Sequence, residues 1–159
     1  MSLVRPLALC LFALLTVGAV PLHAQREKLP PEDQDIVEKR WPQAKRTFTT
    51  LRYIVLKEGD KKGGSPVPGM VVSALYKGML LNDTVFDSML DPKNPLKSRV
   101  GRGNLIQGWD EALQKMHRGE KWLLIVPSEM AYGVRGKPPV IPRNATLVFE
   151  IELLDFSED

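Results

Sequence analysis

Three features of this 159-residue chain point to an α+β fold, in which an antiparallel sheet covers one amphipathic helix. Residues 146–156 open with strict alternation, so that Leu147, Phe149, Ile151 and Leu153 share one face with the period of a half-buried strand. One segment has a helical period, with Trp109, Ala112, Leu113 and Met116 recurring at i, i+3, i+4 and i+7. Elsewhere strand candidates follow one another without the strand–helix rhythm of a parallel sheet, and 12 glycines and 13 prolines supply the turns between them.

Taken in order, residues 1–24 read as a signal peptide. Arg5 supplies the positive charge, Leu7 to Val20 is an uncharged apolar run, and Ala24 is a small residue before Gln25. The run of 14 residues is shorter than the ~20 that span a bilayer, so cleavage is expected rather than anchoring. The mature chain is expected to be exported, periplasmic or secreted, with contact to the membrane only through the signal peptide. Residues 25–48 are charged and proline-punctuated, and read as a charged linker or a short helical extension. Within them Pro31 suits a first helical turn, Ile36, Val37, Arg40 and Trp41 cluster on one side, and Pro42 stops the run. A docking or dimerisation role for this segment stays open.

Residues 49–157 form the domain. Leu51 to Leu56 is the first strand candidate, followed by a turn cluster from Gly59 to Gly69. Val71 to Leu81 is the second, closed by Asn82-Asp83, and Val85-Phe86 resumes extended structure. Trp122 to Val126 is a continuous apolar run that reads as a buried strand. In the helix, Asp110 and Glu111 lie in the first turn and Lys115, His117 and Arg118 at the end, which complements the helix dipole, and Gly119 stops it. His117 is expected to be a solvated residue there.

Composition removes several chemistries. Cysteine occurs once, at Cys10, and histidine twice, at His23 and His117, so a chain cleaved after Ala24 has no thiol and one imidazole. Disulfides, thiol catalysis and zinc–cysteine or histidine-cluster metal sites are therefore not expected. A formal net charge of +3 lacks the dominant basic face of a nucleic-acid binder. Gly101-Arg-Gly-Asn lacks the Lys-Ser/Thr ending of a phosphate loop. Asn82-Asp-Thr and Asn144-Ala-Thr match a glycosylation pattern but fall at turns. What remains is a set of apolar residues in loops: Tyr132, Val140, Ile141, Leu105 and Ile106, with the acid Asp87 beside Phe86. These read either as core or as an apolar pocket with a few polar groups at its edge.

Four segments carry a resemblance. Leu75-Tyr-Lys-Gly-Met-Leu with Val85-Phe-Asp-Ser, Leu105-Ile-Gln-Gly-Trp-Asp-Glu-Ala-Leu, Pro127-Ser-Glu-Met-Ala-Tyr-Gly and Ile141-Pro-Arg-Asn-Ala-Thr-Leu-Val-Phe-Glu resemble, in order and spacing, the FKBP family of peptidyl-prolyl cis–trans isomerases. The resemblance implies a five- to six-stranded antiparallel sheet wrapped around a helix at 108–116, with the pocket between them. It implies Trp109 as the floor on which a proline ring sits, and Tyr76, Phe86, Val140, Ile141 and Phe149 as walls, with Leu105 and Ile106 at the edge. It also implies the Ile106 N–H and the Tyr132 hydroxyl as donors to substrate carbonyls, and Asp87 as a buried acid. Leu96 stands where an aromatic wall is usual, Pro92 where an arginine partner for the acid is frequent, and Lys137 where a histidine is often found. The implied activity is rotation of X-Pro bonds without cofactor, metal or covalent intermediate, by a monomer acting on proline-containing polypeptides, with macrolide immunosuppressants as further ligands. The competing reading is a chaperone-like module that binds proline segments with weak turnover or none.

Overall fold

The computed structural model describes residues 27–158; residues 1–24, which the sequence reading expects to be a signal peptide, lie outside the described residues. The chain runs through α1 (Pro31–Arg40), β1 (Lys45–Arg46), β2 (Arg52–Lys57), β3 (Val71–Leu80), β4 (Val85–Met89), β5 (Leu96–Arg99), α2 (Gln107–Leu113), β6 (Lys121–Val126) and β7 (Leu147–Ser157). The strands build one antiparallel sheet in the order β1-β2-β6-β7-β3-β4, and β5 pairs with β3 as well. The ten residues of β3 divide their outer edge: Tyr76 to Met79 pair with β4, and Val71 to Ala74 pair with β5. The α+β class stands, with seven strands where five or six were expected. The additional ones are short, β1 of two residues and β5 of four, and neither is long enough to show a period. Among the described residues no helix is long and apolar enough to cross a membrane.

The sheet is buried on both faces. On one, Leu147, Phe149, Ile151 and Leu153 of β7 meet Trp109, Ala112 and Leu113 of α2 and Met116 beyond it. Gly108 permits the close approach, because a Cβ there would lie 2.6 Å from Val126 Cγ1 on β6. On the other face, Val148, Ile125, Leu123 and Met79 pack with Leu29 and Val37 of the N-terminal segment. Residues 27–44 are therefore a docked helical extension. Val37 is fully buried, Arg40 donates to the Leu81 carbonyl and to Asp83 Oδ1 (2.7 Å), and the Thr146 hydroxyl donates to Asp33 (2.6 Å). Glu27 ties the start of this segment down by accepting from Arg52 (2.9 Å) and Arg46 (3.0 Å).

Helix α2 stops at Leu113, earlier than the expected 116, because the chain tightens there into turns. The N–H groups of Lys115 and Met116 both donate to the Ala112 carbonyl. The basic residues read as dipole partners have other uses. Arg118 pairs with Asp155 (2.6 Å) and also donates to the Phe156 carbonyl. His117 is a turn residue, not a solvated helix end. Its N–H donates to the buried Glu120 (3.0 Å), which also accepts from the Trp122 indole (2.9 Å). The carboxylate replaces the water that the turn N–H and the indole would otherwise require.

Candidate active site

The pocket forms where β3, β4 and β7 face the first turn of α2. Trp109 is 5% exposed and receives two rings edge-on: Tyr76 at a centroid distance of 4.9 Å and Phe149 at 5.2 Å. Phe86 packs edge-on against Phe149 at 5.7 Å. Such edge-to-face pairs add stabilisation beyond the area they bury and hold rings at defined angles. Gly78 leaves room for them, since a Cβ at that position would lie 2.8 Å from the Phe86 ring and 2.9 Å from Phe149. The cavity above these rings has a volume of about 520 Å³. Leu96, Leu105 and Ile106 add apolar wall, and Tyr132 completes the lining.

Tyr76, Asp87, Asn104, Gln107 and Tyr132 bring polar groups to the same lining. The Tyr76 hydroxyl donates to Asp87 Oδ2 at 2.8 Å. Burial, followed by that hydrogen bond and the charge of Asp87, pushes the Tyr76 phenol up to about 12, so it remains a neutral donor. Ile106 caps α2 with φ −60° and ψ 148°, and its carbonyl accepts from Trp109 and Asp110. The Ile106 N–H and the Tyr132 hydroxyl have no acceptor among the described residues, so both are free to donate to a ligand. The Trp109 indole N–H is buried without a partner. No group of three His, Cys, Asp or Glu among the described residues is arranged to hold a metal ion. Chemically, this is an aromatic seat with two spare donors, at Ile106 and Tyr132, and one carboxylate, at Asp87.

Residues 62–154 match the family of FKBP-type peptidyl-prolyl cis–trans isomerases, more than half of the chain. The chain belongs to the FKBP family. An FK506-binding protein of Neisseria meningitidis serogroup A is 48% identical over 103 residues, covering 65% of this chain and 93% of that protein. FK506-binding protein 1 of Kluyveromyces lactis is 48% identical over 104 residues, covering 65% and 90%. The mouse peptidyl-prolyl cis–trans isomerase FKBP2 is 50% identical over 86 residues, covering 54% and 61%. The chain is thus a peptidyl-prolyl cis–trans isomerase. The family match begins after β2, so the docked helix α1 and the first two strands lie outside it.

Within this FKBP pocket, Tyr76, Phe86, Asp87, Leu96, Leu105, Ile106, Trp109, Tyr132 and Phe149 all line one cavity. Val140 and Ile141 do not line it. Lys137 and Ile141 exchange backbone hydrogen bonds of 2.9 Å, a tight loop that turns Ile141 into the core at 2% exposure and leaves Val140 outside at 44%. Both instead line a smaller adjoining cleft. Asp87, expected to be buried, is exposed on β4 at the sheet's edge, and its hydrogen bond comes from Tyr76 rather than from a cation. Four liners were missed: Gly103, Asn104, Gln107 and Ala131. Gly103-Asn104 belongs to the segment dismissed as a phosphate loop, and its position directly before Leu105 was the available signal. Gly78 was quoted for the resemblance, but only the packing of two rings across β4 and β7 shows what it does.

Proposed function

We propose that the 520 Å³ pocket seats the proline ring of an X-Pro segment on Trp109, and that the Ile106 N–H and Tyr132 hydroxyl hold the carbonyls flanking it. The observation that carries this reading is the pairing of an aromatic floor with two donors that have no partner among the described residues. Resonance opposes rotation of the amide with a barrier of ~18–20 kcal/mol. The planar amide is more polar than the twisted one, so removing water and presenting apolar rings raises the planar state relative to the transition state. Donors fixed at the rim favour a turn-like, twisted chain over an extended one. A rate gain of ~10⁴ requires only about 5–6 kcal/mol of such differential stabilisation. No bond is made or broken.

The natural substrates are then proline-containing segments of exported proteins, the export resting on the charged start, apolar run and Ala24 of residues 1–24. The names of the bacterial and yeast relatives, FK506-binding proteins, support a macrolide as a further ligand of the same pocket. The test is a proline-peptide isomerisation assay on the chain that begins at Gln25. Turnover that FK506 abolishes in a one-to-one titration is expected. Turnover that persists with the ligand bound would place the reaction elsewhere on the molecule.

A further inference from the structure

Beside the proline pocket lies a second cleft of about 240 Å³, lined by Phe86, Asp87, Tyr132, Lys137, Val140 and Ile141. It shares Phe86, Asp87 and Tyr132 with the main pocket, so a polypeptide whose proline sits on Trp109 leads its neighbouring residue into this cleft. From the cleft's composition we infer that Lys137 is a specificity-determining residue, and that this isomerase prefers proline segments with a carboxylate side chain next to the proline. The inference rests on the pocket being the proline site, as proposed above, and names the substrate class that site favours.

Three observations carry it. Lys137 Nζ lies 5.8 Å from the centroid of the Tyr132 ring, which places the ammonium at the boundary between the two cavities. Among the described residues no carboxylate lies within ion-pair distance of it, and its one recorded contact is with the Tyr132 ring. The loop that carries it, residues 131–143, holds Arg135, Lys137 and Arg143 and no acidic residue, so the loop's own charge is positive, and Lys137 is the one of these cations that lines the cleft. Asp87 is the one acid in the cleft and opposes an incoming carboxylate, but its Oδ2 already accepts from Tyr76. The favourable position for a ligand carboxylate is therefore the Lys137 side. An arriving acid gains a cation that no carboxylate among the described residues has to release, and it also gains from the positive loop during encounter.

The experiment compares kcat/KM for short peptides that differ only in the residue before proline (Ala, Glu or Lys), and for a second set that varies the residue after it. In one of the two sets the Glu peptide is expected to exceed the Ala peptide by roughly two- to fivefold, the range of an exposed ion pair, with the Lys peptide below both. The gain should reside in KM and fade toward about 1 M salt, where the screening length falls to about 3 Å. Lys137→Gln should remove the Glu preference, and Lys137→Glu should reverse it in favour of the Lys peptide. Equal rates for Ala and Glu peptides in both sets overturn the inference. So does a Lys137→Gln loss that is the same for every peptide, which would make the lysine a general support for the pocket. If no peptide is turned over at all, the proline-site reading itself fails, a result distinct from loss of the charge preference.

Discussion

At the scale of single residues, the hydrogen bond from Tyr76 to Asp87 puts the proposed site to a direct test. The acid sits on the exposed edge strand, so little packing depends on it, while the hydroxyl it orients belongs to the ring that meets Trp109 edge-on. A hydrogen bond to a charged group contributes about 1.5–3 kcal/mol. Asp87→Ala is therefore expected to lower kcat/KM by roughly tenfold or more, while exposed substitutions shift stability by only about 0.5 kcal/mol. Peptide assays and urea unfolding of the same preparation check both halves. Unchanged turnover would assign Asp87 to solvent.

At the scale of elements, α2 joins two tasks that can be separated by mutation. Trp109 lines the cavity, whereas Leu113 is fully buried in the core and does not line that cavity. Leu113→Ala should cost about 2–5 kcal/mol through the cavity it leaves. Trp109→Leu keeps an apolar side chain on the helix but removes the platform, so it should weaken proline-ligand affinity with the smaller melting shift. Calorimetry and ligand titration on both variants test this; a Trp109→Leu protein that binds proline ligands normally would move the site off the indole. Helix α1 offers a contrast, because it covers the opposite sheet face. Val37→Asp places an unpaired carboxylate against Ile125 and Val148 and should undock the helix, losing at least the burial of a valine, about 1.5–3 kcal/mol. Isomerase turnover should persist in the folded fraction. Turnover falling in step with stability would show that the two faces are coupled.

At the scale of the whole molecule, the N-terminal segment is held by charge as well as by burial, and this gives stability an acid limb. Burial raises the Glu27 carboxyl, but the Leu29 N–H, Arg52 and the Lys28 N–H outweigh it and hold the group below its ordinary value. Its stabilisation is complete above the unfolded value of about 4.3 and is lost as pH falls through the lower folded value. Asp155, lowered by its hydrogen bonds from Arg118 and the Phe156 N–H, adds to the same limb with the same sign. Thermal melts between neutral pH and about pH 3 should therefore fall less steeply for Glu27→Gln than for the unaltered chain, once the variant's lower stability at neutral pH is subtracted. Parallel curves would exclude Glu27 from the acid response.

What the sequence determined by itself was what lies in local order. The alternation of Leu147, Phe149, Ile151 and Leu153 defines β7, because a strand's two faces are written in adjacent residues. The stripe of Trp109, Ala112 and Leu113 defines α2, and the quoted motifs carried the pocket's main walls. The tertiary structure decided what depends on elements far apart in the chain. Whether the second face of β7 is wet or covered depends on α1, whose own residues carry a weak pattern with Val37 as its one buried side chain. Val140 and Ile141 are adjacent apolar residues of one loop, and only the backbone pairing of Lys137 with Ile141 sends one into the core and the other to solvent. Gly78 matters because β3 lies between β4 and β7 in register, pairing with Asp87 on one side and Phe149 on the other, so that two rings meet over it. Asp87 is exposed because β4 is an edge strand, and the order of strands in a sheet is set by which long-range pairings bury most apolar surface, not by the residues next to any one position.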